Sequence, residues 1–300
     1  MRIFVTGATG FVGSAVVNEL LQAGHEVTGL ARSDNGAAQL SAAGAQVHRG
    51  ALEDLDSLRR GVEAADGVIH TAFIHDFSKF KENCEIDRGV VGALSAALAG
   101  SARPLIVTSG TALLAGPALA TEERRAGASA SLPRVASEEA VDAAAGQGVN
   151  VSALRLPPSV HGAGDHGFVP MLIKLARDKG VSAYIGEGAN RWPAVHRLDA
   201  ARLYRLALEY GSNPHRRWHA AAEEGVRFRE IAEAIGRGLK LPVVSVAPEE
   251  AAAHFGWFAH FAAVDNLCSS AYTRRLVEWE PRQPGLLADI ENAASGYFGD

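Results

Sequence analysis

The chain has 300 residues, 47% of them hydrophobic and 21% charged, with a formal net charge of −5. That length suits one large α/β domain with an appended lobe, or two smaller domains, and the balance is that of a packed core rather than a disordered chain. The acidic balance supplies no basic field for a phosphodiester backbone, so no nucleic-acid partner is expected.

In chain order, Arg2–Thr6 reads as a strand, Phe11–Ala23 as a helix and Glu26–Leu30 as a second strand. Gln46–Arg49 follows as a strand, Leu55–Ala64 as a helix, Gly67–His70 as a strand and Gly89–Gly100 as a helix. Pro104–Thr108, Val135–Gly146 and Asn150–Leu156 continue as strand, helix, strand. Strict alternation of this kind predicts a Rossmann-like, doubly wound parallel sheet of α/β class over residues 1–156. Such sheets take their ligands outside the carboxyl ends of the strands. Beyond Pro157 the rhythm loosens into a helix at Asp199–Glu209, a short strand at Trp218–Ala221, and helical patterns at Phe228–Leu239 and Pro284–Tyr297. Residues 157–300 are therefore expected to form a smaller C-terminal α/β substrate-binding lobe, with a return to the first sheet near 190–221 left open. Cys84 and Cys268 have no metal-site spacing and are too few for a disulfide framework, so both read as buried thiols and no metal is expected. No apolar run reaches the roughly 18 residues needed to span a bilayer, so no membrane partner is expected. Strand-like residues from Arg2 leave no room for a signal peptide, and a cytoplasmic setting is the expectation.

Thr6-Gly7-Ala8-Thr9-Gly10-Phe11-Val12-Gly13 places three glycines between the first strand and the first helix. Gly7 suits a tight turn, Gly10 a close approach of backbone to a pyrophosphate, and Gly13 close packing of helix on strand. The helix start then offers free N–H groups and a positive dipole end to the phosphates. Thr9, Phe11 and Val12 lie in the same loop. After the second strand come Arg32, Ser33 and Asp34. A carboxylate here would accept from a ribose 2′-hydroxyl, whereas the Arg32 fork with the Ser33 hydroxyl suits a 2′-phosphate. The reading is NADP(H) in preference to NAD(H), with an inward turn of Asp34 as the alternative.

These features resemble the extended, epimerase/dehydratase-like branch of the short-chain dehydrogenase/reductase superfamily, and the resemblance covers nearly the whole chain. It rests on the glycine loop, Gly50-Ala51-Leu52, His70-Thr71-Ala72, Val107–Thr111, Arg155–Gly162 and Val195–Ala201. The resemblance implies that Leu52 borders the adenine, that Thr71-Ala72-Phe73 run under the cofactor ribose, and that Pro158-Ser159-Val160 line the nicotinamide. Relatives usually carry Asp where this chain has Ala51. A dimer is common among them, so a homodimer is an expectation from resemblance alone.

The family's chemistry implies a Ser or Thr that holds the substrate oxygen, a Tyr that exchanges the proton and a Lys four residues later. Thr111 falls in the hydroxyl position, with Ser109 as the runner-up; a turn or capping role is the alternative for Thr111. The Tyr-x-x-Ser-Lys pattern lands on Arg134-Val135-Ala136-Ser137-Glu138, so Arg134 stands for the Tyr and Glu138 for the Lys. No Tyr precedes Tyr184. Arg134 cannot trade protons near neutral pH, but it can stabilise an oxyanion or grip a carboxylate. It could equally pair with Glu138 or Glu139 along its own helix. Histidine is the natural proton carrier in its place, from His161, His75 or His166, with water as the alternative and a structural role open for each. His75, His166, Phe168 and Trp192 are candidates for the substrate pocket, while His196 and Asp199 read as structural. The function expected is an NADP(H)-dependent oxidoreductase acting on a small carbonyl or related unsaturated compound. The alternatives are a silent NADP(H)-sensing regulatory protein and an enzyme whose cofactor cycles internally.

Overall fold

A computed structural model describes residues 1–211 and 216–299. Its first half runs β1 (Arg2–Thr6), α1 (Phe11–Gln22), β2 (Glu26–Ala31), α2 (Asp34–Ala43), β3 (Gln46–Arg49), α3 (Leu55–Glu63), β4 (Gly67–His70), α4 (Phe80–Leu98), β5 (Leu105–Gly110), β6 (Gly116–Ala120), α5 (Ala136–Gly146) and β7 (Val151–Leu156). The second half runs β8 (Ser159–His161), α6 (Phe168–Lys179), β9 (Ser182–Ile185), β10 (Arg191–His196), α7 (Arg197–Glu209), β11 (Arg217–His219), β12 (Glu223–Arg227), α8 (Phe228–Leu239), β13 (Val243–Val246), α9 (Ala251–Phe255), α10 (Ala259–Ala262), β14 (Asn266–Cys268), α11 (Ala271–Val277) and α12 (Leu286–Glu291).

The central strands are apolar and buried on both faces of a seven-stranded parallel sheet in the order β11-β7-β5-β4-β1-β2-β3, whose edge strand β3 is partly exposed. One core lies beneath α1 and α7, around Val16, Leu20, Leu203 and Trp218. The other lies beneath α3, α4 and α5, around Phe4, Leu58, Val91, Leu94 and Val141. The chain winds outward from β1 to β3 and then crosses to β4 on the other side of β1. That reversal opens a crevice at the carboxyl ends of β1 and β4. α4 begins nine residues before the expected Gly89, because Gly89 and Gly92 sit inside the helix with open space beside them and do not mark its start.

The second lobe has its own aromatic core, built on Trp192, Phe228, Phe255 and Phe258. It carries a three-stranded sheet in the order β12-β10-β8 and two strand pairs, β13-β9 and β14-β6. The chain leaves this lobe to add β11 to the large sheet, one residue earlier than the expected Trp218 and ending at His219. The expected helix at Pro284–Tyr297 is instead the short α12 followed by a 3₁₀ turn, where Asn292 caps the N–H of Ala294 and stops the helix. No described helix is long and apolar enough to cross a membrane.

Candidate functional site

The glycine loop stands at the mouth of the crevice. Gly7 has φ +66°, and a Cβ there would lie 2.6 Å from the Ala72 nitrogen. A Cβ on Gly13 would lie 2.0 Å from the Gly7 carbonyl oxygen, so α1 packs on the loop only through glycine. Thr9 and Gly10 are exposed, and α1 begins with neither a side-chain cap nor an acidic residue. Its first N–H groups therefore have no anionic side chain to satisfy them, and the residues fit a diphosphate. Val12 turns instead onto the core beneath α1. The Thr71 hydroxyl donates to the Thr6 carbonyl over 2.8 Å and ties the segment after β4 to the end of β1.

At the end of β2, Arg32 is exposed and makes no hydrogen bond or ion pair among the described residues. Asp34 is bound to Arg49 and caps no inward contact. The Ser33 hydroxyl accepts from the Gly36 N–H and caps α2. Leu52 and Phe73 are half-buried where β3 and β4 give way to loop. Pro158 and Val160 are half-buried after β7, but Ser159 is enclosed within β8.

Arg134 enters this crevice from the turn before α5. Its guanidinium lies 4.3 Å from the Phe73 ring centroid, donates to Asp87 over 2.9 Å and to the Thr108 carbonyl over 3.0 Å, and contacts the Ser137 hydroxyl. The expected pairing with Glu138 or Glu139 does not occur: Asp87, projecting from α4, takes the charge instead. Asp87 also meets His70 at 3.0 Å and Ser137, and His70 meets the Thr6 hydroxyl at 2.6 Å. Burial opposes ionisation of Asp87, but the His70 bond and the Arg134 charge outweigh it and hold the carboxyl at about 2. Asp87 is readable in the sequence after the fact. It sits on the stripe Cys84, Asp87, Val91, Leu94, Leu98, where a lone carboxylate among apolar residues at helical spacing signals a buried partner.

Glu138, one turn further, faces the interior. It accepts from Arg155 over 2.6 and 2.7 Å, from Arg217 over 3.1 Å and from Ser109 over 2.6 Å. Burial pushes its pKa up, but the two arginines and Ser109 hold it at about 2. Ser109 is thus spent on Glu138 and does not face the crevice. Thr111 is fully buried and donates to Asn266 Oδ1 over 2.7 Å, so its hydroxyl is not free for a substrate either. Sequence reasoning missed Asn266, a single polar residue in a short strand with no pattern around it.

The histidines separate. His161 is fully buried with Nδ1 2.8 Å from Asp289, which removes it as an exposed proton donor. His196 caps α7 through the Leu198 N–H, and Asp199 accepts from the N–H groups of Arg282 and Gln283. His166 is exposed and packs edge-on against Phe11 at 5.6 Å, beside the glycine loop. His75 is exposed next to Phe73, at 5.3 Å between ring centroids. Although its edge reaches solvent, desolvation by the protein atoms around the ring, then the nearby Arg134 charge, lowers its pKa below the usual 6.5. Phe168 and Trp192 do not line an open pocket. Trp192 is fully enclosed against Phe168, Phe228 and Phe258, because these rings form the lobe's core.

A profile of the NAD dependent epimerase/dehydratase family matches residues 3–220. The chain is 52% identical over 298 residues to an uncharacterized protein of Schizosaccharomyces pombe, covering 99% of this chain and 100% of that one. It is 30% identical over 222 residues to a 2-alkyl-3-oxoalkanoate reductase of Stenotrophomonas maltophilia, covering 70% of this chain and 66% of that one. Among solved structures, a UDP-glucose-4-epimerase from Stenotrophomonas maltophila with bound NAD and formylated UDP-arabinopyranose superposes with a TM-score of 0.79. At 17% identity over 99% of this chain and 98% of the other, that likeness is one of fold.

Proposed function

The chain belongs to the NAD-dependent epimerase/dehydratase family, as an NAD(P)-dependent oxidoreductase, and from that premise we propose that it reduces a small carbonyl compound with NADP(H). The observation that carries this reading is Arg134. Its guanidinium lies on Phe73 at the carboxyl edge of the sheet, locked by Asp87 and the Thr108 carbonyl, at the position where the resemblance calls for a proton-exchanging Tyr. The kinship to a 2-alkyl-3-oxoalkanoate reductase supports carbonyl reduction.

The α1 N-terminus and Gly10 hold the diphosphate, the exposed Arg32 pairs with the 2′-phosphate, and Thr71-Ala72-Phe73 and Pro158 border the rest of the cofactor. When bound, NADPH supplies the hydride. Arg134 donates an N–H to the substrate oxygen and stabilises the negative charge that develops there, while its own proton stays in place. Asp87 and Thr108 fix the guanidinium before substrate arrives, so little reorganisation accompanies the reaction. His75, in its protonated form, delivers the proton that completes the alcohol. Because its pKa is lowered, the reductive kcat/KM falls as pH rises through a value below 6.5, and His75→Gln removes that limb.

The test is NADPH oxidation followed at 340 nm with ketones, aldehydes and enones. Turnover with one class, lost in Arg134→Ala, is expected. Tight NADPH binding with no consumption by any of them would transfer the assignment to a dinucleotide-sensing protein. Arg32→Ala is expected to weaken NADPH by about 10- to 100-fold, the range of a charged hydrogen bond, and to leave NADH unchanged in calorimetry. Equal weakening of both would remove the preference for NADP(H).

A further inference from the structure

The first residues of two helices meet beside the glycine loop. Phe11 opens α1 and Arg197 opens α7, and the Arg197 guanidinium lies 5.0 Å from the centroid of the Phe11 ring. A helix start carries the positive end of its dipole, which disfavours a cation nearby. Arg197 nevertheless stands at one such start and over the first side chain of another. It is half-buried, and among the described residues it makes no hydrogen bond or ion pair. Its charge is therefore answered by no group of the chain.

The carboxylates around Arg197 are engaged elsewhere. Asp199, in the first turn of α7, accepts from the N–H groups of Arg282 and Gln283 over 2.9 Å each. Asp165 belongs to the loop of residues 162–167, and its two oxygens accept from the Gly167 N–H over 2.7 Å and from the Tyr297 hydroxyl over 2.8 Å. Two glycines of that loop lie against the Arg197 arm. A Cβ on Gly162 would stand 3.3 Å from Arg197 Cγ, and one on Gly164 3.9 Å from Arg197 Nη1. Side chains there would crowd the arm on its way to Phe11. The same loop sets His166 edge-on against Phe11 at 5.6 Å. Its Nδ1 meets the Gly164 carbonyl at 3.3 Å, and its Nε2 has no partner among the described residues.

We propose that Arg197, with His166 beside it, binds the cofactor diphosphate that lies at the start of α1. This deepens the cofactor part of the reading above and rests on it, independently of carbonyl reduction. The amides of a helix start offer only partial charges to a diphosphate, whereas a guanidinium is a full cation whose planar fork takes two phosphate oxygens at once. The anion also relieves the repulsion between Arg197 and the two helix starts. The side chain thus disfavours the empty site and stabilises the occupied one. A phosphate carried by the substrate would satisfy the same groups, and the test separates the two sources.

Arg197→Met keeps an unbranched arm and removes the charge. In calorimetry it is expected to weaken NADPH, NADH and ADP-ribose alike by about tenfold, the lower end of what a charged hydrogen bond contributes. ADP-ribose carries the diphosphate and lacks the nicotinamide, so an equal loss puts the contact on the diphosphate. Arg197→Lys restores the charge without the fork and is expected to recover part of that loss. His166→Gln is expected to weaken all three by less than Arg197→Met does. Without any dinucleotide, the Tm of Arg197→Met is expected to equal or exceed that of the parent protein, which a purely structural arginine would not allow. If NADH and ADP-ribose bind Arg197→Met as tightly as the parent, the anion belongs to the substrate and the proposal is overturned. A Tm lowered by more than about 4 °C without cofactor assigns Arg197 to the fold and overturns it as well. So does a parent protein that takes up neither dinucleotide. Failure to turn over any carbonyl compound strikes the reductase reading alone, since binding still decides the role of Arg197.

Discussion

Arg134 and Glu138 lie four residues apart, where the family resemblance calls for a Tyr and a Lys, and both are ionised and hydrogen-bonded. Their surroundings differ. Arg134 keeps 17% of its side chain exposed, lies on an aromatic ring at the crevice and answers to one carboxylate, Asp87, which is itself supported by His70 and Ser137. Glu138 is 3% exposed and is the common anion of two buried arginines, Arg155 and Arg217. One charge is left facing the space where chemistry would occur, and the other has become part of the interior. Two substitutions in a single motif can thus part company, since an ion pair at a crevice retains open donors while one enclosed on every side is fully used.

The comparison breaks most sharply at Glu138. Glu138→Ala takes from Arg155 its carboxylate and from Arg217 one of its two described carboxylates, so a loss of about 3–5 kcal/mol is expected in urea denaturation. A loss below about 1 kcal/mol would place Glu138 outside the structural role. Arg134→Ala is expected to cost less stability, about 1–3 kcal/mol, because Asp87 retains His70 and Ser137 and can take up a proton. Its larger effect falls on turnover, where removing a donor to a developing oxyanion lowers kcat by about 10²–10³. If the two variants lose stability equally and Arg134→Ala keeps full turnover, the division between them is false.

How much of this was legible in the sequence follows the range of each interaction. Alternating strand and helix, the glycine loop after β1 and Arg32 after β2 are local patterns, and most of the strands stand within a few residues of where periodicity puts them, whereas the start of α4 and the end of α12 do not. Partners far apart in the chain are another matter. Arg134 finds Asp87 47 residues away, Glu138 finds Arg217 79 residues away, and Thr111 finds Asn266 155 residues away. No spacing rule couples such positions. The hydroxyls of Ser109 and Thr111 therefore read as open to substrate when each already has a buried acceptor. His161 misled for the same reason, since its Asp289 lies 128 residues downstream.

Acid titration separates the two networks at finer scale. His219 accompanies the interior one: Arg155 Nη1 lies 3.0 Å from its Nε2, and burial, reinforced by the Arg155 charge, lowers its pKa to about 4. A histidine depressed in the folded state binds its proton more readily when unfolded, where the value is near 6.5. The stability it contributes is complete above 6.5 and is lost as pH falls from there toward 4. Glu138 and Asp87 are carboxylates held at about 2, so their contribution is complete above roughly 4.5 and is lost only as pH falls from there toward 2. Unfolding free energy is thus expected to decline in two stages, the first carried mainly by His219, whose pKa is lowered furthest. His219→Gln reduces the slope between pH 6.5 and 4 to what the other histidines lowered by burial, His75, His196 and His254, contribute, and leaves the lower stage intact. If the slope between 6.5 and 4 is undiminished in that variant, the first stage arises elsewhere, and the His219–Arg155 contact does not extend the Glu138 network.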